Sequence, residues 1–432
     1  MRRFGLILLS FIMLLSVAAC NLSNHGSNGE QENEKVTLRV AWWGVQSRHD
    51  YTRKVIQMYE QEHPNVKIVA EYASWDDYWK KLAPRAAASG LPDVIQMDRA
   101  YLFQYGQTGQ LDDLTPYIED STIDISSIDK NALSGGMLAG QLYGFALGSN
   151  VLSVLTNDHL IQEAGLKIDE EHWTWDDFEK TAIGVHKATG VYGTNGMYPA
   201  DVFFPYYLRT QGSRLYNEDG TGLGYTDDQL FAAYFERQLR LVDAKAFPTP
   251  DVQAHITGIN DDLIVKGNAA MSWNWSNQYS GFVESAEAPL SIHLPPEHAD
   301  KAALFLRPSM FFSIPKSSTQ KEQAAQFIDF FVNNVEANML IKGDRGVPVS
   351  SKVIKGIKPE LSEADTKIFD YVEKASRHVS ATDPIDPLGN AEIMKALDEI
   401  SERILFKKIT PEEGAKSFRK QAELILGRNK HS

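Results

Sequence analysis

Two pairs of tryptophans, each at the end of a strand-like run, are the residues best suited to do chemistry in this sequence. Trp42 and Trp43 close the run VTLRVAWW and lead through Gly44 to Arg48 and His49. Trp273 and Trp275 lie in KGNAAMSWNWS, near the end of a second run. An indole offers a flat apolar face to a ligand, and fixed polar groups beside it can hold a polar rim. A guanidinium binds a carboxylate through two parallel hydrogen bonds, so Arg48 suits an anionic group. Adjacent residues on a strand face opposite ways, so one member of the first pair is expected to meet ligand, and Trp43 is nearer the strand end. Trp273 and Trp275 stand two apart and share a face, a stacking platform.

Further polar and aromatic candidates follow. Trp75, Asp76 and Tyr78 occupy the turn after a second strand, with Asp77 as helix cap and Asp76 as a hydroxyl acceptor. Asp98 directly follows a third strand, and Asn150 sits at a glycine-containing joint. Tyr206 and Arg209 lie in FFPYYLRTQG, where Phe203, Phe204 and Tyr207 read as core. Arg345 in GDRGVPVS is a second cation. No G-x-S-x-G, H-E-x-x-H or metal-ligand cluster occurs, so neither catalysis nor a cofactor or metal is expected. Carboxylates are plentiful, and their inventory alone leaves glycosidase chemistry open.

The elements that must position these residues alternate between two periods. Val36, Leu38 and Val40 alternate as a buried strand. Tyr51, Val55, Met58 and Tyr59 recur at helical spacing, and residues 66–72 alternate again. Ser74 is placed to cap the next helix. Residues 91–97 form a third strand, followed by a helix over 99–108. This β-α rhythm predicts a mainly parallel sheet covered on both faces, with ligands at the carboxyl ends of the strands. Residues 140–156 differ: two strand-like runs flank Gly148-Ser149-Asn150 with no helix between, as where a chain passes from one lobe to another. Further on, Thr174 caps a helix through Asp177, a long amphipathic helix covers 228–244, and residues 304–314 form a strand interrupted by Pro308. Phe327, Ile328 and Phe331 mark the buried side of a helix over 322–333. Helices over 362–377, 391–408 and 410–427 follow, the last with Thr410 and Glu413 as a capping box.

The ends and the charge bound the setting. Arg2 and Arg3 precede an apolar run, and small residues lead to Cys20, the one cysteine of the chain. This reads as a signal peptide over 1–19 with a lipobox that lipidates Cys20. Residues 20–34 then form a flexible tether, and the protein is expected on the outer face of the cell membrane, held by its lipid. A lone cysteine excludes an intrachain disulfide. The formal charge of −14 argues against nucleic acid as a partner.

The lipobox, AWWG, HPNVKI, LPDVIQMD, GQLYGFALG, KGNAAMSWNW and FSIPKSS…AAQFIDFFV occur in order across the mature chain. As a set they resemble the family 1 extracellular solute-binding proteins, the carbohydrate-binding components of ABC importers. VTLRVAWWG, DYWKKLAP, PDVIQMD, LSGG, FFPYYLRT and RGVPVS are similar to the YesO-type lipoproteins, which serve importers of rhamnogalacturonan oligosaccharides from pectin. The Arg48-His49 pair after the tryptophans is shared with oligogalacturonide binders. The resemblance implies an α/β, two-lobed periplasmic-binding-protein-like fold of type II with mixed, mostly parallel sheets. Three crossovers are expected near 148–150, 289–296 and 315–317. The N-lobe would be 35–148 plus 296–314, the C-lobe 150–289 plus 316–432. It also implies a monomer whose partners are an oligosaccharide, the ABC permease subunits and, through Cys20, the membrane.

Overall fold

The computed structural model describes residues 35–429 apart from 45, 196, 198–199, 257, 298–302 and 384–385. The expected leader, Cys20 and the tether lie outside the described residues. Strand β1 (Val36–Trp43) is followed by α1 (Gln46–Glu62), β2 (Val66–Ala73), α2 (Trp75–Ala87), β3 (Val94–Met97) and α3 (Arg99–Gln107). The three strands pair in parallel with β1 in the middle, as the β-α rhythm requires. Leu38, Val40 and Trp42, on one face of this central strand, are fully buried, while Thr37 and Arg39 at its start reach solvent on the other.

The chain then passes through β4 (Phe145–Ala146) and β5 (Ser149–Asn150) to β6 (Leu152–Asn157). Helices α4 (Trp175–Thr189), α5 (Ala200–Thr210) and α6 (Gln229–Asp243) precede β7 (Met271–Trp275) and β8 (Leu290–His293). It returns through β9 (Arg307–Pro308) to β10 (Phe311–Ser313). β10 pairs antiparallel with both β3 and β4 and completes the first sheet, in the order β2-β1-β3-β10-β4. The second sheet, β8-β6-β7, is antiparallel throughout, so among the named strands of the described residues parallel pairing joins β1, β2 and β3. Between the sheets the outgoing β5 and returning β9 pair with each other, Asn150 opposite Arg307. Gly148 is needed there, since a Cβ would stand 2.1 Å from the carbonyl oxygen of Arg345.

The remaining helices divide at a place the sequence did not mark. In α7 (Lys321–Asn333), Phe327 and Phe330 pack edge-on to Tyr59 of α1, and Phe331 packs on Phe312 of β10. α8 (Val335–Ile341) lies against α1, and α9 (Ser351–Ile357) begins where Ser351 N donates to the Ser127 carbonyl. α10 (Glu363–Ala375) instead reaches the second sheet, where the Tyr371 hydroxyl donates to the Leu152 carbonyl at 2.5 Å. The third crossing therefore falls between α9 and α10 and not at 315–317, and 316–357 sits with the first sheet instead of the second. Only tertiary packing of the phenylalanine face decides this. α11 (Asn390–Leu405) and α12 (Pro411–Asn429) complete the second half against α5 and α6.

Two of the predicted caps form in full. Thr174 and Asp177 make a reciprocal capping box, as do Thr410 and Glu413. Ser74 occupies the N-cap of α2 with extended backbone, but its side chain makes no capping bond.

Candidate functional site

A cleft of about 1600 Å³ opens between the two sheets. The first half contributes Asp98, Arg99 and Phe103, at the carboxyl end of β3 and the start of α3. The second half contributes Trp275, Asn277 and Gln278, at the end of β7. The paired crossing strands supply Asn150 and Arg307, and Met310 and Asp344 lie beside them. Strand ends on both sides thus face one space, the position in which open α/β sheets bind ligands.

Of the expected residues, Arg48, Asp98, Asn150 and Trp275 line this cleft. Trp275 is half-buried, with the Arg307 guanidinium 4.7 Å from its ring centroid and Phe305 edge-on to it. Asn150 is 8% exposed, and no donor among the described residues reaches its Oδ1. A buried acceptor without a partner is rare, because leaving it unbonded costs about 1–3 kcal/mol. Arg99 donates to the Asp383 carbonyl at 3.1 Å and stands over the Phe103 ring.

The rest of the expected set is held elsewhere. Trp42 is fully buried and donates through Nε1 to Nδ1 of His49 at 3.1 Å, so the two occupy each other instead of a ligand. Burial and the neighbouring Arg48 hold the His49 pKa below its ordinary value, which keeps the acceptor nitrogen unprotonated. Trp43 is 7% exposed, closed in by Trp75, Tyr78 and Trp79 with ring centroids 4.9, 5.4 and 5.6 Å away. Its expected stacking face is roofed by the first turn of α2. Tyr78 donates to the Gln96 carbonyl at 2.7 Å in the core. Trp75 is 42% exposed but does not line the cleft, and the side chain of Asp76 lies outside the described residues.

On the second half, Trp273 stacks on Trp175 at 5.5 Å with 11° between planes, so the expected two-indole platform reduces to Trp275. Tyr206 is buried and donates to the Pro296 carbonyl at 2.8 Å. Arg209 is buried too, bonded to the Ala303 carbonyl and ion-paired with Asp383. Both residues tie α5 to the returning chain. Arg345 is fully buried on Gln96 and Thr52.

Arg48 lines the cleft as an ion pair. Its Nε donates to Asp344 Oδ2 at 2.7 Å and its Nη2 to the Asp344 carbonyl at 3.1 Å. Gly44 permits this, since a Cβ there would lie 2.5 Å from Arg48 Cδ. The guanidinium expected to meet a ligand carboxylate already holds a protein one. Arg307 and Asp344 are the charged pair-forming residues among the several cleft residues that sequence reading missed. The first lies in a run whose proline hid its pairing, and the second carries no local signal beyond following a glycine.

Comparison with known proteins agrees with this architecture. A solved extracellular solute-binding protein family 1 from Alicyclobacillus acidocaldarius is 28% identical, with a TM-score of 0.80 over 91% of this chain and 99% of that one. A periplasmic oligogalacturonide binding protein from Yersinia enterocolitica shares the fold at 21% identity, with a TM-score of 0.78 over 91% of this chain and 100% of that one. Among curated relatives, an arabinooligosaccharide-binding protein of Bacillus subtilis is 23% identical over 94% of each chain. A Brucella abortus binding protein is 25% identical over 51% of this chain, and the match spans about half, 52%, of that relative's length. Residues 46–337 match the bacterial extracellular solute-binding protein family, and the chain belongs to it.

Proposed function

We propose that the protein is the lipid-anchored capture component of an ABC importer, taking up pectin-derived oligosaccharides, rhamnogalacturonan fragments first among them. The observation that carries this reading is that one cleft is lined by the Trp275 indole and by Asn150, whose buried Oδ1 has no partner among the described residues. A ring face and a buried hydroxyl acceptor are the two things a sugar needs. The Arg307 guanidinium beside that indole is suited to a uronate carboxylate. The lipobox at Cys20 and the oligogalacturonide and arabinooligosaccharide binders among its relatives support the same reading. Ligand contacting both halves favours the closed form, because only that form uses both sets of contacts, and the paired crossing strands absorb the motion. The closed form then docks on the permease.

A second reading keeps the fold and exchanges the ligand for a neutral oligosaccharide. The engagement of Arg48 by Asp344 favours it, since that removes one cation from acid recognition. Calorimetric titration with rhamnogalacturonan fragments, trigalacturonate and arabinotriose separates the two. Binding of the pectic acids at micromolar Kd, about −8 kcal/mol, is expected. Binding of arabinotriose alone overturns the pectic reading, and turnover of any of the sugars overturns the assignment as a binding protein.

A further inference from the structure

The Arg48–Asp344 pair has an asymmetry. Arg48 is the covered member, its side chain 14% exposed, and Asp344 the open one at 35%. Both donors to the carboxylate, Arg48 Nε at 2.7 Å and the Tyr51 hydroxyl at 2.6 Å, converge on Oδ2. No donor among the described residues reaches Oδ1, and Asp344 lines the cleft. Beside the engaged cation of Arg48, the pair therefore also offers the cleft an acceptor oxygen.

The carboxylate is also fixed from behind. The next residue, Arg345, is fully buried, with Nη2 on Thr52 of α1 at 2.9 Å and Nη1 on Gln96 of β3. Its carbonyl accepts the Ser309 hydroxyl, and Val347 exchanges backbone bonds with Ser149 at 2.8 and 3.1 Å. The segment is thus clamped to α1, to β3 and to the crossing strand β5. A group held this way meets a ligand without ordering cost, the condition for strong polar recognition.

We propose that Asp344 accepts a hydroxyl of the bound sugar through Oδ1, with Arg48 and Tyr51 as positioning residues that hold the carboxylate ionised and aimed. This rests on the sugar-binding reading above and reverses the role first expected of Arg48. Near Asp344 a uronate carboxylate is repelled, so an acidic sugar must place its charge elsewhere in the cleft, beside Arg99 or Arg307.

The carboxylate's ionisation gives the test a handle. Burial alone would raise the Asp344 pKa, but the Arg48 charge and the hydrogen bonds from Arg48 and Tyr51 outweigh it and hold the value below the ordinary one. Affinity that needs the ionised form is retained at neutral pH and lost as pH falls through that lowered pKa. Removing a donor raises the pKa and moves the loss to higher pH.

The experiment titrates the full chain and its Asp344→Asn, Tyr51→Phe and Arg48→Gln variants with trigalacturonate and arabinotriose across pH, with thermal melts alongside. Asp344→Asn is expected to weaken whichever sugar the parent binds by about 10- to 100-fold, the range for a hydrogen bond to a charged group. Tyr51→Phe keeps most of the affinity at neutral pH but shifts its acid loss to higher pH, a displacement that a purely structural ion pair would not produce. Asp344→Asn with parental affinity and an unchanged melt overturns the proposal while leaving the sugar-binding reading in place. So does a Tyr51→Phe acid profile that superimposes on the parent's. A parent protein that binds neither of these sugars, nor rhamnogalacturonan fragments titrated in the same way, overturns the sugar-binding reading, and the role of Asp344 with it.

Discussion

β1 and β7 both end in tryptophans, yet only β7 delivers one to the cleft. β1 is central in its sheet, with β2 on one side and β3 on the other. The chain leaving β2 turns at once into α2, whose first residues bring Trp75, Tyr78 and Trp79 over Trp43. Trp42, on the opposite face, is closed by His49 and Tyr72. β7 is instead the edge strand of β8-β6-β7 and runs straight into the turn Ser276–Gln278. Trp273 is still within the strand and stacks on Trp175, while Trp275 emerges into the cleft, with Phe305 edge-on and Arg307 over its ring. An aromatic at a strand's carboxyl end thus reaches the cleft only when no neighbouring helix roofs that end.

The largest expected effect tests the closed end. Trp42→Ala removes a fully buried indole and leaves His49 without its donor. It should lower the unfolding free energy in urea by about 3–5 kcal/mol. Affinity per folded molecule should stay at the parental value, because Trp42 meets no ligand. Lost affinity with an unmoved urea midpoint would abolish the distinction between the two strand ends.

Much of the first sheet was legible because its signals are local. The alternation in 36–43, the helical spacing from Tyr51 to Tyr59 and the boxes at Thr174 and Thr410 each lie within a few residues. The joint at Gly148 was readable too, as two strand runs without a helix between. What escaped were partners set by distance along the chain. Arg48 finds Asp344 across 296 residues, and Arg209 finds Ala303 across 94. The phenylalanine face of α7 was plain in sequence, but nothing in it says which sheet it covers. α5 carries Pro205 within the helix, so its run FFPYYLRTQG showed no clean period, and Tyr206 and Arg209 read as exposed when they are core. In the site, residue types were legible and their exposure was not.

A second contrast lies in how the two sheets are secured. The end of β1 is packed ring on ring, whereas the end of β8 is held by charge. Glu170 accepts from the Leu294 backbone and His293 Nδ1, both at 3.1 Å, and pairs with Lys374 of α10. Burial would raise its pKa, but these donors hold it down from 4.5 to about 2. A depressed carboxylate stabilises the fold above its unfolded value, and that stability is lost as pH falls toward 2. Urea unfolding across pH should show a loss of about 2–3 kcal/mol between roughly pH 5 and pH 2 that Glu170→Gln removes. An unaltered acid profile in that variant would mean that the end of β8, like the end of β1, is secured without this charge.

The smallest effects fall at the open end and decide what it recognises. Trp275→Ala should leave the urea midpoint near the parental value, since the indole is half-buried at an edge. It should weaken oligosaccharide binding by about 1–2 kcal/mol, roughly five- to thirtyfold. Arg307→Gln removes the cation over that ring while keeping a polar side chain of similar reach. If the guanidinium serves a uronate, trigalacturonate weakens by about threefold to tenfold and arabinotriose does not. An equal loss for both sugars would instead mean that Arg307 acts by holding the indole in place. Charge selectivity would then have to come from another cation lining the cleft, such as Arg99. The titration therefore separates a ring that binds with its cation from a ring that binds because of it.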